Sequence, residues 1–249
     1  MKLTELVSYC DDLLASGEIK DYAPNGLQVE SGDEARVVVT AVTASMAAIE
    51  AAIEHEADVL LVHHGYFWKG ESQALTGMKG QRIAKLIRAG ISLVGYHLPL
   101  DVHLELGNNA GLGRAIGAAQ VQQRAAGGIP NLLWRGEVTP TDTAGFAGQL
   151  AHALDREPLH VGPVGPIQRV AWCTGGAQDY LSQAAELGVD AFVSGEISER
   201  TTHMARELGV QYFAAGHHAT ERFGVQALGE HLAEQFDIRT LYVEDFNPV

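Results

Sequence analysis

The chain has 249 residues, of which 31 are acidic and 17 are basic, so its formal net charge is −14 at pH 7. This length allows one large or two modest hydrophobic cores. The negative charge argues against binding along a nucleic-acid backbone, which requires a basic face. We therefore do not expect a nucleic-acid partner.

The sequence also argues against membrane insertion and export. No apolar run approaches the ~20 residues that a membrane-spanning helix needs, and acidic residues interrupt the N-terminal stretch where a signal peptide would be apolar. Its two cysteines, Cys10 and Cys173, are too few for a disulfide framework or a thiolate cluster. We expect a cytoplasmic protein without a membrane partner.

Hydrophobic periodicity predicts an N-terminal amphipathic helix followed by a β-α-β-α-β unit. The strands are nearly continuous apolar runs, which are typical of parallel sheets covered by helices. In chain order, we predict a helix at 3–16, a strand at 36–42, a helix at 45–57 capped by Ser45, a strand at 58–65, a helix at 79–90 and a strand at 91–97.

The same order returns after residue 168. Strands are predicted at 169–176, 189–196 and 210–218 and helices at 177–188, 198–209 and 219–236, and a last strand at 237–245 is expected to close the sheet. The segment between the halves contains a strand-like stretch at 132–138 and a helix capped near Thr141 or Asp142.

These elements predict an α/β fold. It consists of two related β-α-β-α-β halves with a mixed, mostly parallel sheet and a small α+β insertion. We assign the first half to residues 1–115, the insertion to 116–166 and the second half to 167–249.

Histidines and acids follow several of the predicted strands. His63 and His64 end the second strand, His97 ends the third and Asp101 follows it, while His217 and His218 end a strand of the second half and Glu221 follows that strand. Ligands bind at the carboxyl ends of strands in open α/β sheets. A single His-His pair is more often a surface or core feature, but two pairs, each near an acid, favour metal binding.

The spacing within each half brings a histidine and an acid within reach of one ion. His217 and Glu221 are four residues apart and share a helix face. In the run HLPLD, Pro99 makes a turn a better prediction than a regular helix.

Imidazole and carboxylate ligands without thiolate favour Fe, Zn, Mn, Ni or Co. We predict that the two histidine runs bind two metal ions together in one site. Glu221 is the expected bridge, because a carboxylate offers two oxygens.

Other residues near these runs remain open to more than one interpretation. Glu196 either contacts the substrate or caps a helix, and the aromatic run at 66–68 is either a lid over a planar ring or part of the core. The Gly175-Gly176 pair is a weak candidate for a phosphate cradle. Basic candidates for a phosphate contact are Lys69, Lys79, Arg82, Arg200 and Arg222.

The runs DYAPNGLQVE, VHHGYFWKG, HLPLDVHLELGNNA, WCTGGAQ and AAGHHATER together resemble the GTP cyclohydrolase I type 2 homologue family, the Nif-three-like dinuclear metal proteins. The resemblance covers nearly the whole chain except roughly 117–166. It implies metal ligands at His63, His64, Asp101, His217 and Glu221, with His97 nearby. It also implies a ring-shaped homohexamer with the sites facing its interior, and iron as the favoured metal.

Two functions are compatible with this sequence. The first is a metal-dependent, cyclohydrolase-like hydrolase acting on a purine nucleotide, a damaged nucleotide or a related heterocycle, in which Glu221 bridges two divalent ions and His97 transfers a proton. The alternative is a non-catalytic metal-binding or assembly factor. An open coordination position beside a substrate pocket would distinguish the hydrolase.

Overall fold

The computed structural model describes residues 1–249, and the chain forms two compact units. The first comprises Met1–Leu100 and Gly224–Phe246, and the second comprises Asp101–Phe223 and Asn247–Val249. These units differ from the three consecutive segments expected from the sequence, because the last long helix and the last strand belong to the first unit.

The seven predicted helices lie close to their predicted positions, and three further short helices at 98–102, 108–115 and 217–220 were not predicted. They are α1 (Leu3–Leu13), α2 (Met46–Glu54), α3 (Gly77–Ala89), α4 (Leu98–Val102), α5 (Asn108–Ala115), α6 (Thr143–Leu154), α7 (Leu181–Glu186), α8 (Glu199–Leu208), α9 (His217–Thr220) and α10 (Arg222–Gln235). The strands are β1 (Gly26–Val29), β2 (Val37–Thr43), β3 (Val59–His64), β4 (Ser92–Gly95), β5 (Ala119–Ala126), β6 (Ile129–Asp142), β7 (Leu159–Val161), β8 (Pro166–Cys173), β9 (Ala191–Ser194), β10 (Gln211–Ala214) and β11 (Arg239–Tyr242).

The sheet of the first unit has the strand order β1-β4-β3-β2-β11. Its strands are parallel except for β1, which runs antiparallel to β4. The last strand was expected to close the sheet of the second half. That prediction is wrong, because β11 pairs in parallel with β2, with Arg239 opposite Val37.

The sheet of the second unit has the order β5-β6-β8-β9-β10-β7. Strands β8, β9 and β10 are parallel, whereas β5, β6 and β7 pair antiparallel at the two sides. The predicted insertion therefore supplies three strands of this sheet. Its core includes the fully buried Trp172, Phe146 and Phe213. The predicted α/β class with mixed sheets is confirmed.

In both units, an aspartate just before one parallel strand accepts hydrogen bonds from the backbone of the neighbouring strand. In the first, Asp58 Oδ2 accepts hydrogen bonds from the backbone N–H groups of Arg36 (2.8 Å) and Val37 (3.0 Å). In the second, Asp190 Oδ2 accepts from Gln168 (3.1 Å) and Arg169 (2.8 Å). The repeated pattern agrees with two related halves and aligns Val37 with Arg169.

Local signals in the sequence fix several helix ends. Ser45 accepts a hydrogen bond from Ala48 N (3.0 Å) and Asp142 accepts one from Gly145 N (2.8 Å), so both predicted caps are confirmed. The turn predicted around Pro99 is instead the short helix α4. Proline is tolerated in the first turn of a helix, where its missing N–H has no partner within the helix. No helix is both long and apolar enough to span a bilayer.

Candidate functional site

Three histidines of the first unit come together where β3 and β4 end. His63 and His64 are the last residues of β3, and His97 lies two residues after β4. Each offers a ring nitrogen, and these three atoms lie within 4.8 Å of one another. His63 and His97 are buried. The parallel pairing of β3 with β4 explains the convergence, because the carboxyl ends of neighbouring parallel strands meet at one edge.

Two of these rings are oriented by hydrogen bonds to their own sheet. The Nδ1 atom of His63 donates to the carbonyl oxygen of Tyr96 (2.9 Å). Because a carbonyl only accepts, this bond places the His63 proton on Nδ1 and makes Nε2 the candidate ligand atom. The Nδ1 atom of His64 lies 3.2 Å from Thr43 Oγ1, and because a hydroxyl both donates and accepts, this contact orients the ring without setting its tautomer.

The third ring, His97, is held by two residues that the sequence did not identify. Asp21 Oδ1 accepts from His97 Nδ1 (3.0 Å) and its Oδ2 accepts from Leu98 N (2.9 Å). Asn25 Oδ1 accepts from His97 N (2.8 Å) and its amide donates to Asp21 Oδ2 (3.0 Å). Both residues belong to the run DYAPNG, so their presence in a family motif was the available signal.

Asp21 is ionised over the ordinary pH range. Burial by itself would raise its pKa, but the hydrogen bond and charge of His97, with hydrogen bonds from Asn25 and Ala23, outweigh burial and lower the pKa to about 2. A carboxylate behind a buried imidazole is a common support for a metal-binding histidine.

Of the three aromatic residues at 66–68, only Trp68 packs on the histidines. Its ring centroid lies 5.0 Å from His97 and 5.9 Å from His64, and the half-exposed ring of Tyr22 also lies 5.0 Å from His97. Tyr66 is a core residue whose hydroxyl donates to the Ala44 carbonyl (2.6 Å). The aromatic surface beside the histidines is therefore formed by Trp68 and Tyr22.

Three of the basic residues considered for a phosphate contact have partners inside the protein. Lys79 forms an ion pair with Glu71 (3.5 Å), Arg200 forms one with Asp179 (2.7 Å), and Arg222 donates to the Leu154 carbonyl (2.6 Å). These contacts give each side chain a role in the structure.

His217 in the second unit is held between two carboxylates. Its Nδ1 donates to Glu196 Oε1 (2.7 Å), and its Nε2 lies 3.1 Å from Glu221 Oε2. Burial would lower the pKa of His217, but the hydrogen bonds and charges of Glu221 and Glu196 outweigh burial and raise the pKa to about 9. Glu196 does not cap the following helix, whose N-cap is Ser198, and its side chain positions His217.

Asp101 and Glu221 place two buried carboxylates close together in the same unit. One carboxylate oxygen of Asp101 lies within 4.8 Å of one carboxylate oxygen of Glu221. Asp101 Oδ1 accepts from Asn108 Nδ2 (2.9 Å) and from Thr174 Oγ1 (3.4 Å). Two carboxylates at this separation repel each other when ionised, and a divalent cation removes that repulsion.

Gly175, which follows β8, packs closely against Glu221. Gly175 N donates to Thr220 Oγ1 (3.0 Å), and a Cβ at Gly175 would lie 2.0 Å from Glu221 Oε1 and 3.2 Å from His217 Nε2. Only glycine leaves room for this packing, and its φ of +68° suits glycine as well. The structure thus gives Gly175 a packing role beside the acid.

The neighbouring thiol does not extend the set of ligands. Burial raises the pKa of Cys173 well above its usual range, and the charges of Asp101 and Glu221 raise it further. The donors in both units are therefore imidazoles and carboxylates. This chemistry fits borderline and hard divalent cations such as iron, zinc or manganese.

Comparison with known proteins gives a consistent result. The Duf34/NIF3 family, described as NGG1p interacting factor 3, matches residues 1–248. Proteins named GTP cyclohydrolase 1 type 2 homolog are 56% identical in Allochromatium vinosum (98% of this chain, 96% of that protein) and 50% identical in Pseudomonas aeruginosa (99% and 98%). The resemblance found in the sequence motifs is confirmed.

Solved structures share the same fold. A structure titled protein ybgI, unknown function, superposes with a TM-score of 0.95 at 47% identity over 100% of both chains. TTHA1606 from Thermus thermophilus superposes with a TM-score of 0.91 at 33% identity, again over 100% of both chains.

Proposed function

The chain belongs to the Duf34/NIF3 family, and we propose that it is a dinuclear metal-dependent hydrolase acting on a purine nucleotide or a related heterocycle. The proposed ligands of the two divalent ions are His63, His64, Asp101, His217 and Glu221. Iron is the favoured metal, and zinc, manganese and nickel are the alternatives.

The observation that carries this proposal is the support behind the histidines. Among the proposed ligands, His63 donates through Nδ1 to a backbone carbonyl and His217 donates through Nδ1 to a carboxylate, and the neighbouring His97 donates through Nδ1 to Asp21. Such bonds fix the tautomer and make the other ring nitrogen more basic, as metal-ligating histidines require. A histidine that only filled space would not need an ionised carboxylate behind it.

Divalent ions bound in such a site act as Lewis acids that polarise a substrate oxygen and make water nucleophilic near neutral pH. The residues of the chain have complementary tasks. Glu221 has two carboxylate oxygens, which allows it to serve as the bridging ligand. Because Asp21 holds the Nδ1 proton of His97, Nε2 is the atom at which His97 accepts or releases a proton during the reaction.

The substrate class is supported by the aromatic surface beside His97 and by the names of the relatives. Trp68 and Tyr22 offer flat apolar faces to a planar base. The curated relatives are named GTP cyclohydrolase 1 type 2 homolog, so GTP and damaged purine nucleotides are the first candidates.

The test is to load the purified protein with Fe²⁺, Zn²⁺ or Mn²⁺, measure two ions per chain, and assay a panel of purine nucleotides for ring opening and phosphate release. We expect turnover with at least one substrate, lost in Glu221→Gln. Full occupancy without turnover on any nucleotide would reject the hydrolase and favour a metal-binding or assembly factor. Spin coupling between two Mn²⁺ ions, measured by electron paramagnetic resonance, would test whether the ions share one centre.

The family resemblance also supports a homohexameric ring. Light scattering during gel filtration measures the assembly directly. A mass of about six chains of 26.6 kDa is the expected result, and a monomer would exclude the ring.

A further inference from the structure

We propose that the loop at 67–73, together with Lys79 and Arg82 of α3, forms an anion-binding site for a phosphate group. The protein's own Glu71 carboxylate occupies this site when no ligand is bound. The site contains none of the proposed metal ligands. Its assignment to the phosphate of a purine nucleotide rests on the proposed function, whereas the binding of phosphate itself does not.

Two successive backbone N–H groups of the loop converge on one oxygen of Glu71. Phe67 N and Trp68 N donate to Glu71 Oε2 at 3.0 Å and 3.2 Å. Phe67 has a φ of +66°, which is unusual for a bulky side chain, and strained positions of this kind are common in segments that hold ligands. Converging backbone N–H groups form anion-binding concavities in proteins. The loop backbone is therefore shaped to hold an anion.

The ammonium group of Lys79 faces the same carboxylate. Its Nζ lies 3.5 Å from Glu71 Oε1 and 5.6 Å from the centre of the Phe67 ring, and it also donates to the Ser72 carbonyl. The Lys79 side chain is 11% exposed, whereas that of Glu71 is 35% exposed. The cation is thus enclosed by the loop, and the carboxylate is the member of the pair that can move into solvent.

Arg82 adds a second positive charge beside this site. It lies three residues after Lys79, so the two share one face of α3, and its Nε atom is buried without a hydrogen-bond partner. Burial raises the pKa of Tyr66 to about 12, and the charge of the nearby Arg82 opposes this shift. Residues 65–89 contain five basic residues and a single acid, Glu71, although the whole chain has a net charge of −14. One carboxylate does not balance this local charge, which favours binding of a further anion.

The loop also has room for a ligand. Residues 67–73 line a cavity of about 490 Å³, which is more than a phosphate group requires. Trp68 belongs to the same loop, and its ring packs on His97. A nucleotide whose phosphate replaced the Glu71 carboxylate would therefore have its base close to the aromatic surface of Trp68.

A second lysine–glutamate pair on α3 lacks these features and serves as a matched control. Lys85 forms an ion pair with Glu50, and their side chains are 37% and 58% exposed. An exposed pair of this kind is a solvated surface contact. Removing Glu50 therefore releases a lysine on the same helix without releasing converging backbone N–H groups.

The experiment measures the binding of inorganic phosphate to the metal-free full-length chain by calorimetry, in EDTA and at constant ionic strength. We expect Glu71→Ala to bind one phosphate per chain about 10–100-fold more tightly than the unaltered chain, because two N–H groups and the Lys79 ammonium become available. Adding Lys79→Ala to Glu71→Ala should weaken binding again by about 10–100-fold. Glu50→Ala should bind phosphate no more tightly than the unaltered chain.

Two results would overturn the site. One is a folded Glu71→Ala chain whose affinity for phosphate is unchanged, and the other is an equal gain in Glu50→Ala, which would assign the effect to net charge. If circular dichroism shows that Glu71→Ala does not fold, Glu71→Gln replaces it, since glutamine keeps the size of the side chain and removes its charge. A gain of about 3-fold is then expected, and no gain would reject the site.

GMP, which carries one phosphate group, distinguishes a nucleotide from free phosphate. If the ligand is a nucleotide, metal-free Glu71→Ala binds GMP more tightly than inorganic phosphate, and Trp68→Ala in this background removes the difference. Equal affinities would overturn the assignment to a nucleotide. All of these measurements are made without metal or turnover, so the failure of this site and the failure of the proposed hydrolase are distinguishable.

Discussion

Gly175→Ala offers a way to displace the proposed bridging acid without changing a ligand. At this position φ is +68°, and the added Cβ would lie 2.0 Å from Glu221 Oε1. Ordinary van der Waals contact begins at 3.4 Å. Glu221 is buried, so its carboxylate has little room in which to retreat.

The expected cost has two parts. An alanine in the left-handed region costs about 1–2 kcal/mol, and forcing a buried side chain from its preferred rotamer costs about 0.5–1.5 kcal/mol more. Together these lower the expected free energy of unfolding of Gly175→Ala by about 1.5–3.5 kcal/mol. We also expect loss of metal from the second unit's ligands, since ligands must be held within about 0.5 Å of their working positions.

Gly209→Ala is the matched control. Its φ is +69°, and a Cβ there would meet nothing within 4 Å. This variant therefore carries only the backbone cost. Urea unfolding of the metal-free proteins and metal analysis of the loaded proteins measure the two effects. If Gly175→Ala loses no more stability than Gly209→Ala and still binds two ions per chain, the packing of Gly175 on Glu221 does not govern the site.

Three further predictions concern the core, the pH dependence and the metal. Trp172→Ala should cost about 3–5 kcal/mol of unfolding free energy, because it empties a fully buried position and removes the hydrogen bond to the Asn109 carbonyl (2.8 Å); a loss below about 1 kcal/mol in urea unfolding would be inconsistent with this core. Burial would raise the pKa of Asp190, but its hydrogen bonds with Arg169 lower it. The ionised Asp190 therefore stabilises the fold above its unfolded pKa near 4, and this stabilisation is lost as the pH falls through the lower pKa of the folded state. Asp190→Asn should consequently lose less stability than the unaltered chain between about pH 5 and 3. Parallel plots of unfolding free energy against pH for the two proteins would contradict this. Removing metal with a chelator should lower the thermal midpoint by about 5–10 °C relative to protein with free metal at about 100 times the Kd, whereas coincident melting curves would show that metal does not bind the folded state preferentially.

Much of the secondary structure was predictable because its causes are local. The period of apolar residues marked the strands, and Ser45 and Asp142 marked the starts of two helices through hydrogen bonds three residues away. The short helix that contains Pro99 was not predicted, but it also has a local explanation. Pro99 lies in the first turn of this helix, where a backbone N–H has no partner within the helix, so its absence does no harm.

The candidate ligands could be named from the sequence, but most of the groups that hold them could not. Glu196 was recognised as a residue of interest, yet its contact with His217 depends on where two strands end. Asp21 contacts His97 across 76 residues of sequence. Spacing along a chain does not report such a contact, because the intervening strands and helices can be arranged in many ways.

The two histidine runs, their nearby acids and the alternation of strands and helices were determined by the sequence alone, because side-chain chemistry and periodicity are properties of neighbouring residues. Only the tertiary structure decided that β11 joins β2, that the predicted insertion supplies strands to the second sheet, and that Asp21 lies behind His97. Each of these depends on hydrogen bonds between segments far apart in the chain, whose partners are selected by the packing of the whole unit.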